Sequence, residues 1–508
     1  MSPPKTNNNY NNNSLNNNFI KYSSSITPLP PTFFVTDRRM LAHKNEWDPD
    51  HIDTPKRLEA VLDMLEEEHL IEKCQLIDSA ECSNSDLRLV HTQEHIDKIR
   101  KACELTDIAN MENFCKGLED VYINKYTWKC SLLAVGSALK AMEAVLEYNN
   151  NKNEEKRQQR IEETIIHSPN SFAAIRPPGH HASAETSCGF CIFNNVAICA
   201  KKARQMGIER VFILDWDVHA GQGTQYCIEG DPGILLVSAH RYENGQFWPE
   251  LVESDIINEY KNTINVPLNE IGYGDAEYSA LMHFLVLPLI QQWQPGLILV
   301  SCGFDAGIGD PQGEMEVSPA GFGYMTSLLA QLGIPLCLVL EGGYFLESVV
   351  QGTRFCIQAL LNRTPPVVNF CNRSPSPKFL STLYNVLRIF KHQTINNNNN
   401  FNLFNSFLYQ LNTLRYSICS AIDRRKRREL TPIGEISNGK TNEGEKEEEE
   451  LQKIIYFGDR KSVQIALATN TYPTRGQYPP RVPSIEKQFS LRLKQLNEQY
   501  YSNNLNEV

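Results

Sequence analysis

Residues 213–223 read ILDWDVHAGQG, which puts Asp215, Asp217 and His219 at alternate positions directly after the apolar run Val211–Leu214. Alternate residues of an extended chain share a face. The spacing therefore crowds two carboxylates and an imidazole onto one side of a strand end, where like charges repel. A bound cation removes that repulsion. A second segment, SCGFDAGIGD at 301–310, adds Asp305 and Asp310. Asp217, His219 and Asp305 then offer oxygen, nitrogen and oxygen, and three protein ligands with an open fourth position is how catalytic zinc is held. Read singly, Asp305 would be a helix cap and His219 a satisfied core histidine; the D-x-D-x-H alternation outweighs both readings. Asp215 need not touch the same ion, since it could orient a neighbouring histidine or help to hold a hard monovalent cation.

Two further groups complete a hydrolytic set: the tandem His180 and His181 in RPPGHH, and Tyr344 in EGGY. A metal polarises a carbonyl and makes a nucleophile of water. His181 is placed to take the water's proton, His180 to donate to the leaving amine or steady the charge, and Tyr344 to donate to the developing oxyanion. Other hydrolytic classes do not fit. The chain has no GxSxG elbow, no HxE with PCxxC of a zinc deaminase, and no HExxH. Cys188 and Cys191 form a lone CxxC pair, and without a second pair they do not make a structural zinc site.

These residues need a scaffold, and the apolar pattern supplies one. FAAI at 172–175, VFIL at 211–214, ILLV at 234–237, LILV at 297–300 and LCLVL at 336–340 each precede one of the polar segments. Between them lie helical stretches. One opens at Thr54–Pro55, with Thr54 as N-cap; another runs from Val196 to Met206, and a third from Ser318–Pro319 to about Leu332. Apolar runs separated by helices indicate an α/β fold: a central, mostly parallel sheet with helices on both faces. In such sheets ligands bind beyond the carboxyl ends of the strands, which is where all five runs deliver their polar residues.

Outside this region the composition changes. Residues 1–32 are rich in Asn, Ser and Pro and read as a disordered tail. Residues 33–365 read as one catalytic domain. Residues 366–508 read as a low-complexity, charged and partly disordered extension, with Asn396–Asn400, RRKRR at 424–428 and GEKEEEE at 444–450. On this reading both tails are dispensable for catalysis. Net charge is −11, which provides no general attraction for nucleic acid or anionic lipid. There is no apolar run of membrane-spanning length and no apolar signal-peptide core at the N-terminus, so a soluble, intracellular protein is expected. The 14 cysteines are expected to be reduced packing residues.

The motifs RPPGHHA, GFCIFNNVAI, DWDVHAGQGTQ, HRYENGQFWP, GFDAGIGDPQGEM and LEGGY, in this order, resemble the zinc-dependent histone deacetylase family. The resemblance covers about residues 33–365. It is to class II, and most to class IIb, which includes the tubulin deacetylase and the acetylpolyamine deacetylase. It implies an arginase-like deacetylase fold with Asp217, His219 and Asp305 as zinc ligands. It also implies His181 as general base, His180 as its partner and Tyr344 as the transition-state tyrosine. Asp215 and Ser238 match residues of a structural potassium site, Asp215 also pairing with His180. Gly189, Phe190 and Trp248 match the channel around the acyl-lysine stem. Two positions depart from the usual pattern. Ala220 stands where D-V-H-H-G has its second histidine, and Gln222 stands where class I enzymes place an aspartate beside the second histidine of the pair. A neutral Gln222 leaves His181 less basic than a carboxylate would. The resemblance puts Gln312 near the channel mouth, where polyamine-selective members carry glutamate.

The leading reading is therefore a zinc amidohydrolase acting on acetyl-lysine in histones or in other proteins such as tubulin. An acetylpolyamine deacetylase is the enzymatic alternative, and a corepressor scaffold with weak turnover is the non-enzymatic one. Chromatin and transcriptional repression, a corepressor complex, and a place in the nucleus, the cytoplasm or both are what the resemblance implies. No direct nucleic-acid or membrane partner is expected.

Overall fold

The apolar runs become strands covered on both faces, in a computed structural model that describes residues 29–159, 167–366, 368 and 374–394. The strands are β1 (Thr32–Thr36), β2 (Gln75–Leu76), β3 (Asn170–Ala174), β4 (Val211–Asp215), β5 (Ile234–Arg241), β6 (Thr263–Leu268), β7 (Leu297–Cys302) and β8 (Leu336–Leu340). They form one sheet in the order β2-β1-β3-β8-β7-β4-β5-β6, with every neighbouring pair parallel. All residues of β3, β4, β7 and β8 are buried, as the continuous apolar runs of doubly covered parallel strands require. The chain leaves β4 outward to β5 and β6, then returns to lay β7 on the other side of β4. The strand order thus reverses at β4, and a crevice forms beyond the strand ends at such a reversal.

Register aligns what the crevice receives. Asp215 stands opposite Ser238 of β5 and Ser301 of β7, and Cys302 stands opposite Leu340 of β8. The loops that follow β4, β7 and β8 therefore start at one level. Helices hold this edge in place. Asn194 caps the helix Asn195–Gln205, and Ser318 caps Pro319–Ala330 by accepting from the Gly321 N–H. The helix Lys56–Glu67 differs from expectation. Pro55 precedes it, already in helical conformation, and no side chain caps it, so Thr54 does not serve as N-cap.

The packed body also extends beyond residue 365. The helix Pro377–Thr394 packs against β6, an edge strand, and against the helix Asp275–Leu281. Phe379, Leu380, Leu383, Val386 and Leu387 recur at helical spacing and are buried in the main core. This part of the 366–508 stretch is therefore ordered core, which corrects its reading as low-complexity extension. The asparagine run, the basic cluster and the acidic stretch lie outside the described residues. Among the described residues, no helix is long and apolar enough to cross a membrane.

A chain ending at 365 should consequently unfold well below the full-length protein, while one ending at 394 should keep its unfolding temperature. Leu383→Ala alone should cost about 2–5 kcal/mol, the usual range for emptying a buried leucine site. Thermal and denaturant unfolding of the truncations check this; equal stability at 365 and 394 would show that the helix is dispensable.

Candidate active site

The D-x-D-x-H alternation acts through hydrogen bonds more than through strand geometry. β4 ends at Asp215, so Asp217 and His219 lie beyond the strand. Each aspartate turns the chain that follows it. Asp215 Oδ1 accepts from the Asp217 N–H at 3.1 Å, and Asp217 Oδ1 from the His219 N–H at 3.0 Å. Aspartate commonly folds its own backbone two residues on in this way. The intervening side chain points the other way, with Trp216 buried against Phe322. Asp305 Oδ1 accepts from the Val218 N–H at 2.8 Å, which draws the β7 loop onto the β4 loop. The Gly342 N–H reaches Asp217 Oδ2 at 2.9 Å from the β8 loop. Only glycine allows that approach, because a Cβ there would stand 2.2 Å from Asp305 Oδ2.

Asp217, His219 and Asp305 are fully or almost fully buried, and their ligand atoms lie within 4.8 Å of one another. His219 Nδ1 is 3.1 Å from Asp217 Oδ1 and 3.3 Å from Asp305 Oδ2. Among the described residues, Asp305 Oδ2 has no hydrogen-bond partner. An orphaned buried carboxylate oxygen is costly, and here it faces another carboxylate and an imidazole. Burial opposes charge on His219, yet the two carboxylates raise its pKa to about 9. The site thus attracts positive charge, and its donors fit a divalent ion with one position left open.

The tandem histidines stand beside these groups, their ring centroids 3.8 Å apart. His180 Nδ1 is 3.0 Å from Asp215 Oδ2, and His180 Nε2 is 3.6 Å from Asp217 Oδ1. Burial disfavours its charged form, but Asp217 and Asp215 prevail and hold its pKa well above the ordinary value. His181 is driven the other way, by burial and then by the neighbouring His180 and His219. Its Nδ1 lies 2.7 Å from Gln222 Oε1, while Gln222 Nε2 donates to Cys188 Sγ at 3.8 Å. That second bond orients the amide so that its oxygen accepts from His181 Nδ1–H, leaving Nε2 with a free lone pair. Ser238, across the register from Asp215, shares a 2.9 Å hydrogen bond with His240 and accepts from the Gly221 N–H.

Aromatic residues line the approach. Gly189 and Phe190, both at positive φ, form a two-residue turn closed by hydrogen bonds between Cys188 and Cys191. The CxxC pair therefore frames a turn. The carbonyls of Glu119 and Asp120 accept from the Gly189 and Phe190 N–H groups, and the Glu119 carboxylate accepts from Trp248 Nε1–H at 2.8 Å. A Cβ at Gly189 would sit 2.6 Å from both His181 and Trp248. Phe190 lies edge-on to Tyr344 at 5.8 Å, and Trp248 edge-on to His181 at 4.7 Å. The structure thus gathers Gly189, Phe190, Trp248, Tyr344 and the histidines at one place. Gln312, half-buried, is held by its backbone: its N–H donates to Asp310 Oδ1, and its carbonyl accepts from Arg241.

Several contributors carried no sequence signal. Arg57 stands over the Tyr344 ring at 5.0 Å and donates to the carbonyls of Gly343 and Glu341. It is paired with Asp53, which Arg176 and Tyr122 also contact. Phe247 stacks on His219 at 5.3 Å and carries Arg241 on its ring. Glu341 accepts from the Gly179 and His180 N–H groups. These partners lie far apart in sequence, and only the fold brings them together.

A parallel sheet thus gathers buried carboxylates, imidazoles and a tyrosine at its carboxyl edge, a set of groups suited to metal-assisted hydrolysis. The chain belongs to the histone deacetylase family: the family model for the histone deacetylase domain matches residues 51–360. It is 41% identical over 347 residues to mouse polyamine deacetylase HDAC10, covering 66% of this chain and 49% of that protein. It is 36% identical over 334 residues to Histone deacetylase 6 of Caenorhabditis elegans, covering 64% of this chain and 33% of the relative. The chain thus spans about half or less of these curated relatives. The crystal structure of the HDA15 HD domain superposes with a TM-score of 0.62 at 30% identity, covering 76% of this chain and 99% of the other. The family is zinc-dependent, and the arginase-like deacetylase fold is the one observed.

Asp217→Asn, His219→Ala and Asp305→Asn should each lower metal affinity by more than the roughly 10–100-fold cost of disturbing a ligand's supporting partner. Metal content of purified variants, measured beside their unfolding temperature, checks this. Full metal retention in Asp305→Asn would remove Asp305 from the ligand set.

Proposed function

We propose that the protein is a zinc-dependent deacetylase that hydrolyses the acetyl amide of lysine side chains in proteins. The observation that carries this is the convergence of Asp217, His219 and Asp305 with the His180–His181 pair and Tyr344 beneath Phe190 and Trp248. Asp217, His219 and Asp305 would hold the zinc, which when bound polarises the amide carbonyl and makes a water acidic. Phe190 and Trp248 flank the aliphatic stem and exclude water from it. His181 Nε2 takes the proton of the attacking water, its Nδ1–H fixed by Gln222. His180, held through Nδ1 by Asp215, steadies the growing negative charge. Tyr344 donates its hydroxyl to the oxyanion. Burial keeps that phenol protonated, raising it well above its ordinary value against the pull of Arg57. Water adds to the carbonyl, the C–N bond breaks, and the amine leaves with the proton that His181 took up, giving acetate and free amine. A potassium ion beside Asp215 and Ser238 belongs to the same proposal, on the strength of the family resemblance.

A second reading, an acetylpolyamine deacetylase, is favoured by the similarity to the polyamine deacetylase HDAC10 of mouse and human. Against it stands Gln312, a neutral residue where the resemblance puts glutamate in polyamine-selective members. A neutral acceptor offers roughly half the bond strength of a charge-assisted one to a second ammonium.

Tyr344→Phe should keep its metal and lose on the order of 10²–10³ in kcat, the usual cost of one oxyanion donor. Gln312→Glu should raise kcat/KM for acetylspermidine roughly five- to thirtyfold while sparing acetyl-lysine peptides. A panel of acetyl-lysine peptides and acetylpolyamines, run on metal-quantified protein, decides between the two readings. Preference of the natural protein for acetylspermidine over every peptide would overturn protein deacetylation.

A further inference from the structure

Buried carboxylates with no part in the proposed chemistry tie the loops of the site together, and Asp310 serves two of them at once. Its side chain is fully buried. Oδ2 accepts from the Tyr344 N–H at 2.6 Å and the Phe345 N–H at 3.1 Å. Oδ1 accepts from the Gln312 N–H at 2.9 Å and the Gly313 N–H at 3.3 Å. A buried carboxyl group is costly unless it is hydrogen-bonded, and here four backbone N–H groups from two loops satisfy it. One side chain thus joins the segment that carries Tyr344 to the segment Gln312–Gly313.

The neighbouring contacts show why such a joint is needed. Tyr344 follows Gly342 and Gly343, the second at φ 119, so no side chain anchors the approach to it. Arg57 holds the carbonyls of Glu341 and Gly343 on the upstream side. Asp310 holds the N–H groups of Tyr344 and of the residue after it. Between them, every peptide direction that sets the tyrosine's heading is fixed. On the other loop Arg241 holds the carbonyls of Gln312 and Gly313, and Asp310 again takes the N–H groups. Loss of Asp310 would leave both loops held by one side only.

We propose that Asp310 is a positioning residue: it fixes the reach of the Tyr344 hydroxyl and couples that reach to the segment Gln312–Gly313. It touches no substrate and acts through Tyr344. The proposal rests on the deacetylase reading of the site.

A double-mutant cycle on the full-length, zinc-loaded protein tests it. Asp310→Asn keeps the size of the side chain but replaces one acceptor oxygen with an NH₂ group that cannot accept. It should lower kcat about 10–100-fold with KM within about twofold and metal content unchanged. In a Tyr344→Phe background the same change should cost less than about twofold, because the hydroxyl it positions is gone. A general stabilising role gives the same fold-loss in both backgrounds, and that result, or an unchanged kcat, overturns the proposal. Should Asp310→Asn fail to fold, an ester in place of the Tyr344 amide deletes only one donor. It should lower kcat roughly five- to tenfold at an unchanged unfolding temperature, and wild-type kcat in that protein overturns the proposal. Position is also read without turnover, by ¹⁹F NMR of 3-fluorotyrosine at 344. Asp310→Asn, or the ester, should shift or broaden the resonance, and an unmoved resonance overturns the proposal. A wild type that releases no acetate from any acetylated amine, with the resonance still responding, marks failure of the deacetylase reading alone.

Discussion

Two buried carboxylates that face one imidazole, with an oxygen of Asp305 that has no hydrogen-bond partner among the described residues, form the constraint on which this structure turns. Water cannot solvate them, and bringing them together without a counter-charge would be unfavourable on any scale of ion burial. A cation resolves the repulsion. The backbone then has to hold the ligands open to it, and the sheet edge does so. Asp215, Asp217 and Asp305 each give one oxygen to a backbone N–H of the loop after β4, and Asp217 gives its second to the Gly342 N–H, so the remaining oxygens of Asp215 and Asp305 face His180 and His219.

The same device recurs around the centre. Asp53 gathers Arg57 and Arg176, Glu341 gathers the tandem-histidine segment, and Asp310 gathers the tyrosine segment and the segment Gln312–Gly313. Loops that would otherwise be independent become one body because each buried charge needs several donors, and those donors come from different loops. Burial, charge and loop order are therefore a single property here. The aromatic approach obeys the same logic, with the Glu119 carboxylate holding the Trp248 indole while its carbonyl holds Gly189.

How much was legible in the sequence follows from which forces leave a local trace. Five of the six inner strands show because burial on both faces demands unbroken apolar runs. β1 and β2 were not read, and β2 is two exposed residues. β6, with Asn265 and Pro267 inside it, lies at an edge and has no such run. The ligand triad and the histidine pair show because their spacing is itself chemical. Arg57 and Glu119 left no trace because their sequence neighbours look ordinary, and the stacking of Phe247 on His219 is set by the fold although Phe247 lies inside a recognised motif. The helix Pro377–Thr394 is a different case. Ser376–Pro377 and the helical recurrence of its apolar residues are plain in the chain, but the asparagine run and charged blocks nearby pointed to an extension instead.

The central claim is that one metal ion, held by Asp217, His219 and Asp305, is what the buried charge of this site is arranged around. Stepwise return of zinc to chelator-stripped protein, with acetate release and bound metal measured on the same samples, tests it most directly. The account predicts that activity rises in proportion to bound metal and levels off at a single ion per chain. Metal-free protein that still releases acetate, or activity that begins only after a first ion has bound without effect, would contradict it.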